Sequence, residues 1–124
     1  VASTPEVKAK AQILRQLRAT VAKLGLNLWL ETHAGDAFST PTLDITGVLK
    51  HPDHRNTYGV PFAIEVKRFD GRGKLTGRQE QTMQTMRSSG IAVFLIDSED
   101  SLSDFISWME RQWPLQLLLS TKAT

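Results

Sequence analysis

The chain has 124 residues, the length of one domain, and its 40% apolar and 23% charged composition suits a soluble globular protein rather than a disordered one. It contains no cysteine, which excludes disulfides and thiolate-bound zinc or iron–sulfur centres and suits a reducing compartment. The formal charge of +2 is too small to argue from alone. No apolar run approaches the roughly 20 residues needed to cross a bilayer. Residues 1–10 lack the basic-then-apolar layout of a secretory signal, so an intracellular location, cytoplasmic or nucleoid-associated, is expected. The chain starts at Val1 rather than at a methionine, as a piece cut from a longer protein would.

Thr4-Pro5-Glu6 opens a helix: threonine caps, proline suits the first helical position and the glutamate favours the positive end of the dipole. Val7, Ala11, Leu14, Leu17, Val21 and Leu24 recur at helical spacing, and Gly25 stops the helix. Leu26, Leu28 and Leu30 alternate with Asn27, Trp29 and Glu31, a strand with one packed face. A turn over His33–Pro41 leads to a second alternating strand, Thr42–Leu49, with Leu43 and Ile45 on one side. A polar loop from Lys50 to Gly59 precedes a third strand, Val60–Arg68, with Phe62, Ile64 and Val66 on its apolar side. After the turn Asp70–Gly73, Thr76 caps a second helix with Gln79, Met83 and Met86 on one side, ending near Gly90. Ile91–Ile96 is a continuous apolar run that predicts a strand buried on both faces. Ser98–Ser103 offers caps for a last helix with Leu102, Phe105, Ile106 and Met109 inward. The predicted fold is α/β, order α-β-β-β-α-β-α, with a central mixed sheet of about four strands flanked by helices. One domain is expected, its core about residues 4–112, with an apolar tail at 113–124 that includes Leu115–Leu119.

Strand alternation brings candidate chemistry together. Glu65 and Lys67 point opposite to Ile64 and Val66, and Asp44 points opposite to Leu43 and Ile45. If the two strands pair with their apolar faces together, Asp44, Glu65 and Lys67 share the other face. Like charges side by side destabilise a sheet, and a divalent cation reverses that penalty. Two carboxylates, with the Val66 carbonyl as a further oxygen, suit Mg²⁺ or Mn²⁺. Lys67, Arg68, Arg72, Lys74 and Arg78 crowd into residues 67–78 with Asp70 the one acid, a stretch that attracts phosphates. His51, Asp53 and His54 match no standard zinc spacing. His33 suits either a place near the site or simply the end of the first strand. Trp108 and Trp113 suit base stacking or, at the spacing of the last helix, the core.

Asp44-Ile45-Thr46-Gly47, then Ile64-Glu65-Val66-Lys67-Arg68, then residues 71–75 and Gln79 resemble the PD-(D/E)xK nuclease superfamily, and within it the VRR-NUC branch and Holliday-junction-resolvase-like nucleases. The resemblance spans roughly residues 4–97. It implies a restriction-endonuclease-like core, Asp44 and Glu65 as metal ligands, Lys67 acting at the nucleophile, Gln79 orienting it, and Glu6 as a further acid reaching the site. The family carries proline before its first aspartate, where this chain has Leu43. A literal Pro52-Asp53 pair makes Asp53 a rival ligand, and Asp44 is favoured because metal ligands sit on rigid elements. The implied function is Mg²⁺-dependent DNA endonuclease activity on branched DNA or four-way junctions, in repair or recombination. A homodimer would set two sites on opposed strands. Arg68, Arg72, Lys74 and Arg78 would contact DNA. The alternatives are a non-catalytic DNA-binding module and an accessory nuclease domain of a larger repair protein.

Overall fold

The computed structural model describes residues 4–33, 42–53 and 58–113. Its elements run α1 (Pro5–Leu24), β1 (Asn27–Thr32), β2 (Ile45–Lys50), β3 (Val60–Val66), α2 (Gly77–Ser88), β4 (Ala92–Ile96) and α3 (Glu99–Arg111), in the order the patterning predicts. The Thr4 hydroxyl accepts the Val7 N–H at 3.1 Å, Pro5 begins α1, and Gly25 closes it in the left-handed region at φ 68°. Residues 115–119 of the expected tail lie outside the described residues.

The sheet has the order β1-β2-β3-β4, antiparallel at its first two junctions and parallel between β3 and β4. The parallel pair requires a crossover, and α2 supplies it. One face, carrying Ile45, Leu49, Phe62, Ile64, Val66 and Ile96, packs on Ala9, Ile13 and Leu17 of α1 and on Leu102, Phe105 and Met109 of α3. The other face buries Ala63 and Val93 against Met83 of α2, with Leu43 added from before β2. Phe62 lies directly across from Gly47. A β-carbon on Gly47 would sit 2.6 Å from Phe62 Cζ and 2.8 Å from the Trp29 carbonyl oxygen, so glycine is what admits the ring.

Two expectations change here. The second strand starts at Ile45, not Thr42, and Leu43 packs with Met83 on the face opposite Ile45. The run Ile91–Ile96 forms an edge strand: α3 packs on one face and α2 on the other, yet Phe94 and Leu95 stay partly exposed. Trp108 stacks on Phe105 at 5.9 Å and meets Phe94 edge-on at 4.9 Å, which makes it a core residue rather than a base-stacking one. Trp113 is half-buried near the His51 ring, at 6.3 Å. Among the described residues no helix is long and apolar enough to cross a membrane.

Candidate active site

The candidate site lies where β2 begins and β3 ends. Asp44 is a bend outside the strand, although its carbonyl still accepts the His33 N–H at 2.8 Å and prolongs the β1–β2 ladder by one rung. Ile45 pairs with Ile64, so the next inward-facing amide of β3, that of Val66, faces the place where Leu43 would stand in an unbroken strand. Leu43 has turned away into the α2 cluster. Asp44 Oδ2 fills the gap by accepting the Val66 N–H at 2.8 Å. The carboxylate is thus aimed by a hydrogen bond at a frayed strand end, and not by strand alternation as the sequence suggests.

Glu65 points to the α2 face with Ala63 and is only 3% exposed. A buried carboxyl needs partners. Gln79 Nε2 donates to Glu65 Oε2 at 3.2 Å. The same amide works at the helix start, where Gln79 Oε1 accepts the Thr76 N–H at 3.0 Å and Thr76 Oγ1 accepts the Gln79 N–H at 3.1 Å. This reciprocal capping box ties the first turn of α2 to Glu65. Burial pushes the Glu65 carboxyl up to about 8, reinforced by the Asp44 carboxylate and by a hydrogen bond between the two groups; Lys67 opposes the shift and Glu6 adds to it slightly. The Glu65 carboxyl therefore holds a proton that an isolated carboxyl would have released.

Lys67 follows the last β3 residue, and its N–H donates to the Ile96 carbonyl at 3.0 Å, so its direction is still set by the sheet. Its stem lies against Gly73, where an added β-carbon would be 3.0 Å from Lys67 Cβ and 3.2 Å from Cδ. Gly73→Ala is expected to displace the ammonium and lower turnover about tenfold with little change in melting temperature. Gly77→Ala, with nothing within 4 Å of its added carbon, is the matched control. Equal turnover in the two variants would show that Gly73 does not position Lys67.

The structure thus brings together Asp44, Glu65, Lys67 and Gln79, with Glu6 in electrostatic reach from α1. Asp53 falls in a turn after the far end of β2 and is not among the groups that shift Glu65. Of the basic residues, Arg68 is paired with Asp70 at 2.7 Å, while Arg72, Lys74 and Arg78 are exposed. Asp70 also accepts the Arg72 N–H at 3.0 Å, and that bond, with the Arg68 guanidinium, holds its carboxyl below the usual range. One neighbour, Lys10, escapes a reading of the sequence, while His33 is one of its candidates. The Lys10 ammonium reaches the His33 carbonyl at 3.2 Å, and the His33 ring meets Thr46 Oγ1 at 3.1 Å. Only the packing of α1 on the sheet makes Lys10 a neighbour of this strand end, although His33 was visible as the end of β1.

Val66 is in register with Ile96, whose carbonyl is taken by Lys67. In a parallel ladder the residue in register keeps its own N–H and C=O turned to the other side. The Val66 carbonyl therefore points the way its N–H does, toward Asp44. Among the described residues no three His, Cys, Asp or Glu side chains form a metal-holding group. The donors here are two carboxylates and one main-chain oxygen, a hard set that fits a small cation retaining several waters. No protein-family model, curated protein or solved structure matches the chain.

Proposed function

We propose that the protein is a Mg²⁺- or Mn²⁺-dependent DNA endonuclease with a restriction-endonuclease-like core of the PD-(D/E)xK type. The observation that supports this most is the buried Glu65 carboxyl set beside the partly exposed Asp44 carboxyl, with Lys67 on the same strand end. A fold gains little from two adjoining carboxyls at a sheet end, whereas a site for a cation needs them. Asp44, Glu65 and the Val66 carbonyl would hold the cation, which when bound polarises the phosphate and acidifies water. Gln79 holds Glu65 by its amide and so keeps the carboxyl turned to Asp44. Lys67 places a positive charge where negative charge grows on the phosphoryl oxygens, or steadies the attacking water. Arg72, Lys74 and Arg78, with Arg68, take phosphates along the flanking backbone and carry no sequence information.

Branched DNA is the substrate class we assign, and a symmetric dimer the assembly. Two places for the dimer interface suit the sequence, the apolar Leu115–Leu119 stretch, which lies outside the described residues, and Trp113, which is half-buried near His51. Labelled linear, flap and four-way-junction DNA are to be incubated with the protein in Mg²⁺, Mn²⁺, Ca²⁺ or chelator. Cleavage is expected in the first two only, with binding kept in Ca²⁺, because Ca²⁺ prefers a looser and larger coordination shell. Full activity in excess chelator would refute the cation mechanism. A strict monomer that cuts both opposed strands of a junction in concert would refute the dimer.

A further inference from the structure

Past Lys67, on the side of the chain away from α2, a cleft of about 320 Å³ opens between the first turns of α1 and the segment that follows β3. Its apolar walls are Pro5, Ala9 and the half-buried ring of Phe69. Its rim carries Lys8, which is exposed and has no salt-bridge partner among the described residues, together with Arg68 and Asp70. The Asp70 carboxylate pairs with the Arg68 guanidinium at 2.7 Å and also accepts the Arg72 N–H, so the rim keeps a net positive charge. Gln12 closes one end. Its Nε2 donates to both Glu99 carboxylate oxygens, at 2.8 and 3.0 Å, which fixes the amide and leaves its oxygen as an acceptor. The cavity is near the small end of the range for ligand sites, about 300–1,000 Å³.

From this juxtaposition we propose that the cleft is a nucleotide subsite, taking one unpaired nucleotide of the DNA strand next to the cut, with its base on Phe69 and its phosphate on Lys8 and Arg68. An aromatic wall beside cations is the chemistry that holds single-stranded nucleic acid, since every base has a π-face and every linkage a charge. Arg68 directly follows Lys67, so the cleft adjoins the end of β3 at which Lys67 stands. The assignment of DNA rests on the nuclease reading; the chemistry of the cleft does not. A paired base would first have to leave its stack, and that cost is lowest at a branch or frayed end. The subsite would therefore give a small domain a preference for branched DNA.

The test measures binding in chelator, where no cutting occurs, with a fluorescein-labelled single strand of about twelve nucleotides and a duplex of the same sequence. Lys8→Glu is expected to weaken single-strand binding about tenfold and duplex binding less than twofold. Lys8→Ala should lower the salt slope on the single strand by about 0.7. A strand carrying 5-iodo-deoxyuridine should photo-crosslink to the peptide containing Phe69. Equal losses on both DNAs, or crosslinks that avoid that peptide, would overturn the proposal. Competition by a free deoxynucleoside monophosphate as effective as that by the strand would overturn the assignment to a strand. A protein that crosslinks at Phe69 but cuts nothing in Mg²⁺ keeps the subsite and loses the nuclease reading. One that cuts but does not crosslink there does the reverse.

Discussion

Glu65→Gln is expected to abolish cleavage, by about 10³-fold or more, while making the cation-free protein more resistant to heat above neutral pH. The second effect follows from the raised carboxyl, which ionises near 8 in the folded chain against a reference value of 4.5. Between those values the folded protein keeps a proton that the unfolded chain has lost. The associated stability is present in full below about 4.5 and drains away as pH rises through 8. Glutamine is neutral throughout and retains an oxygen for the Gln79 amide, so the variant escapes the loss. Its melting temperature should exceed that of the wild type by about 5 °C or more at the alkaline end, with the gap closing toward acid. Adding Mg²⁺ should raise the wild-type melting temperature most at alkaline pH, where no proton competes with the cation for the carboxyl, and should do little for the variant. Parallel melting curves for the two proteins across pH would show that Glu65 holds no extra proton.

Asp44 should separate catalysis from folding according to what replaces it. Asp44→Asn keeps an oxygen for the Val66 N–H and removes a negative charge from beside Glu65, so the fold should persist while cleavage falls about 10³-fold. Asp44→Ala leaves the amide of a fully buried residue without its partner, at a cost of about 1–3 kcal/mol on top of the same loss of cleavage. Asp53→Asn should retain most activity, because that residue lies beyond the opposite end of β2. Urea unfolding and turnover measured on the three variants decide the matter. An alanine variant as stable as the asparagine one would mean that the carboxylate does not seal the strand end. An inactive Asp53→Asn would make Asp53 the ligand. Lys67→Ala should also lose turnover, yet keep the cation-dependent rise in melting temperature, since it supplies no oxygen to the pair.

Much of this arrangement follows from short-range pattern. The Thr4 and Ser98 caps and the Thr76–Gln79 box are written within a few residues of each other, and local hydrogen bonds realise them. The shared direction of Glu65 and Lys67 is equally local, because strand alternation carries it. The α1 stripe read through Val7, Ala11, Leu14, Leu17, Val21 and Leu24 is instead shifted. Ala9, Ile13 and Leu17 are the buried residues and Val7 and Ala11 are exposed, because the seating of α1 on the sheet decides which side is covered. Asp44 shows where this ends. Thr42–Leu49 alternates well enough to read as one strand, but α2 settles over Ala63 and Val93 and leaves apolar space that Leu43 fills beside Met83, forty residues along the chain. That contact goes with a strand that starts at Ile45, three residues later than Thr42, and leaves the Val66 amide to the aspartate. Lys10 comes to the strand end in the same way, through the seating of α1 on the sheet. The types and spacing of the site residues are thus local properties of the chain. The aim of Asp44, the raised carboxyl of Glu65 and the cleft beside Lys67 depend on how distant apolar side chains share one sheet, because burial has no preferred direction until the whole core is assembled.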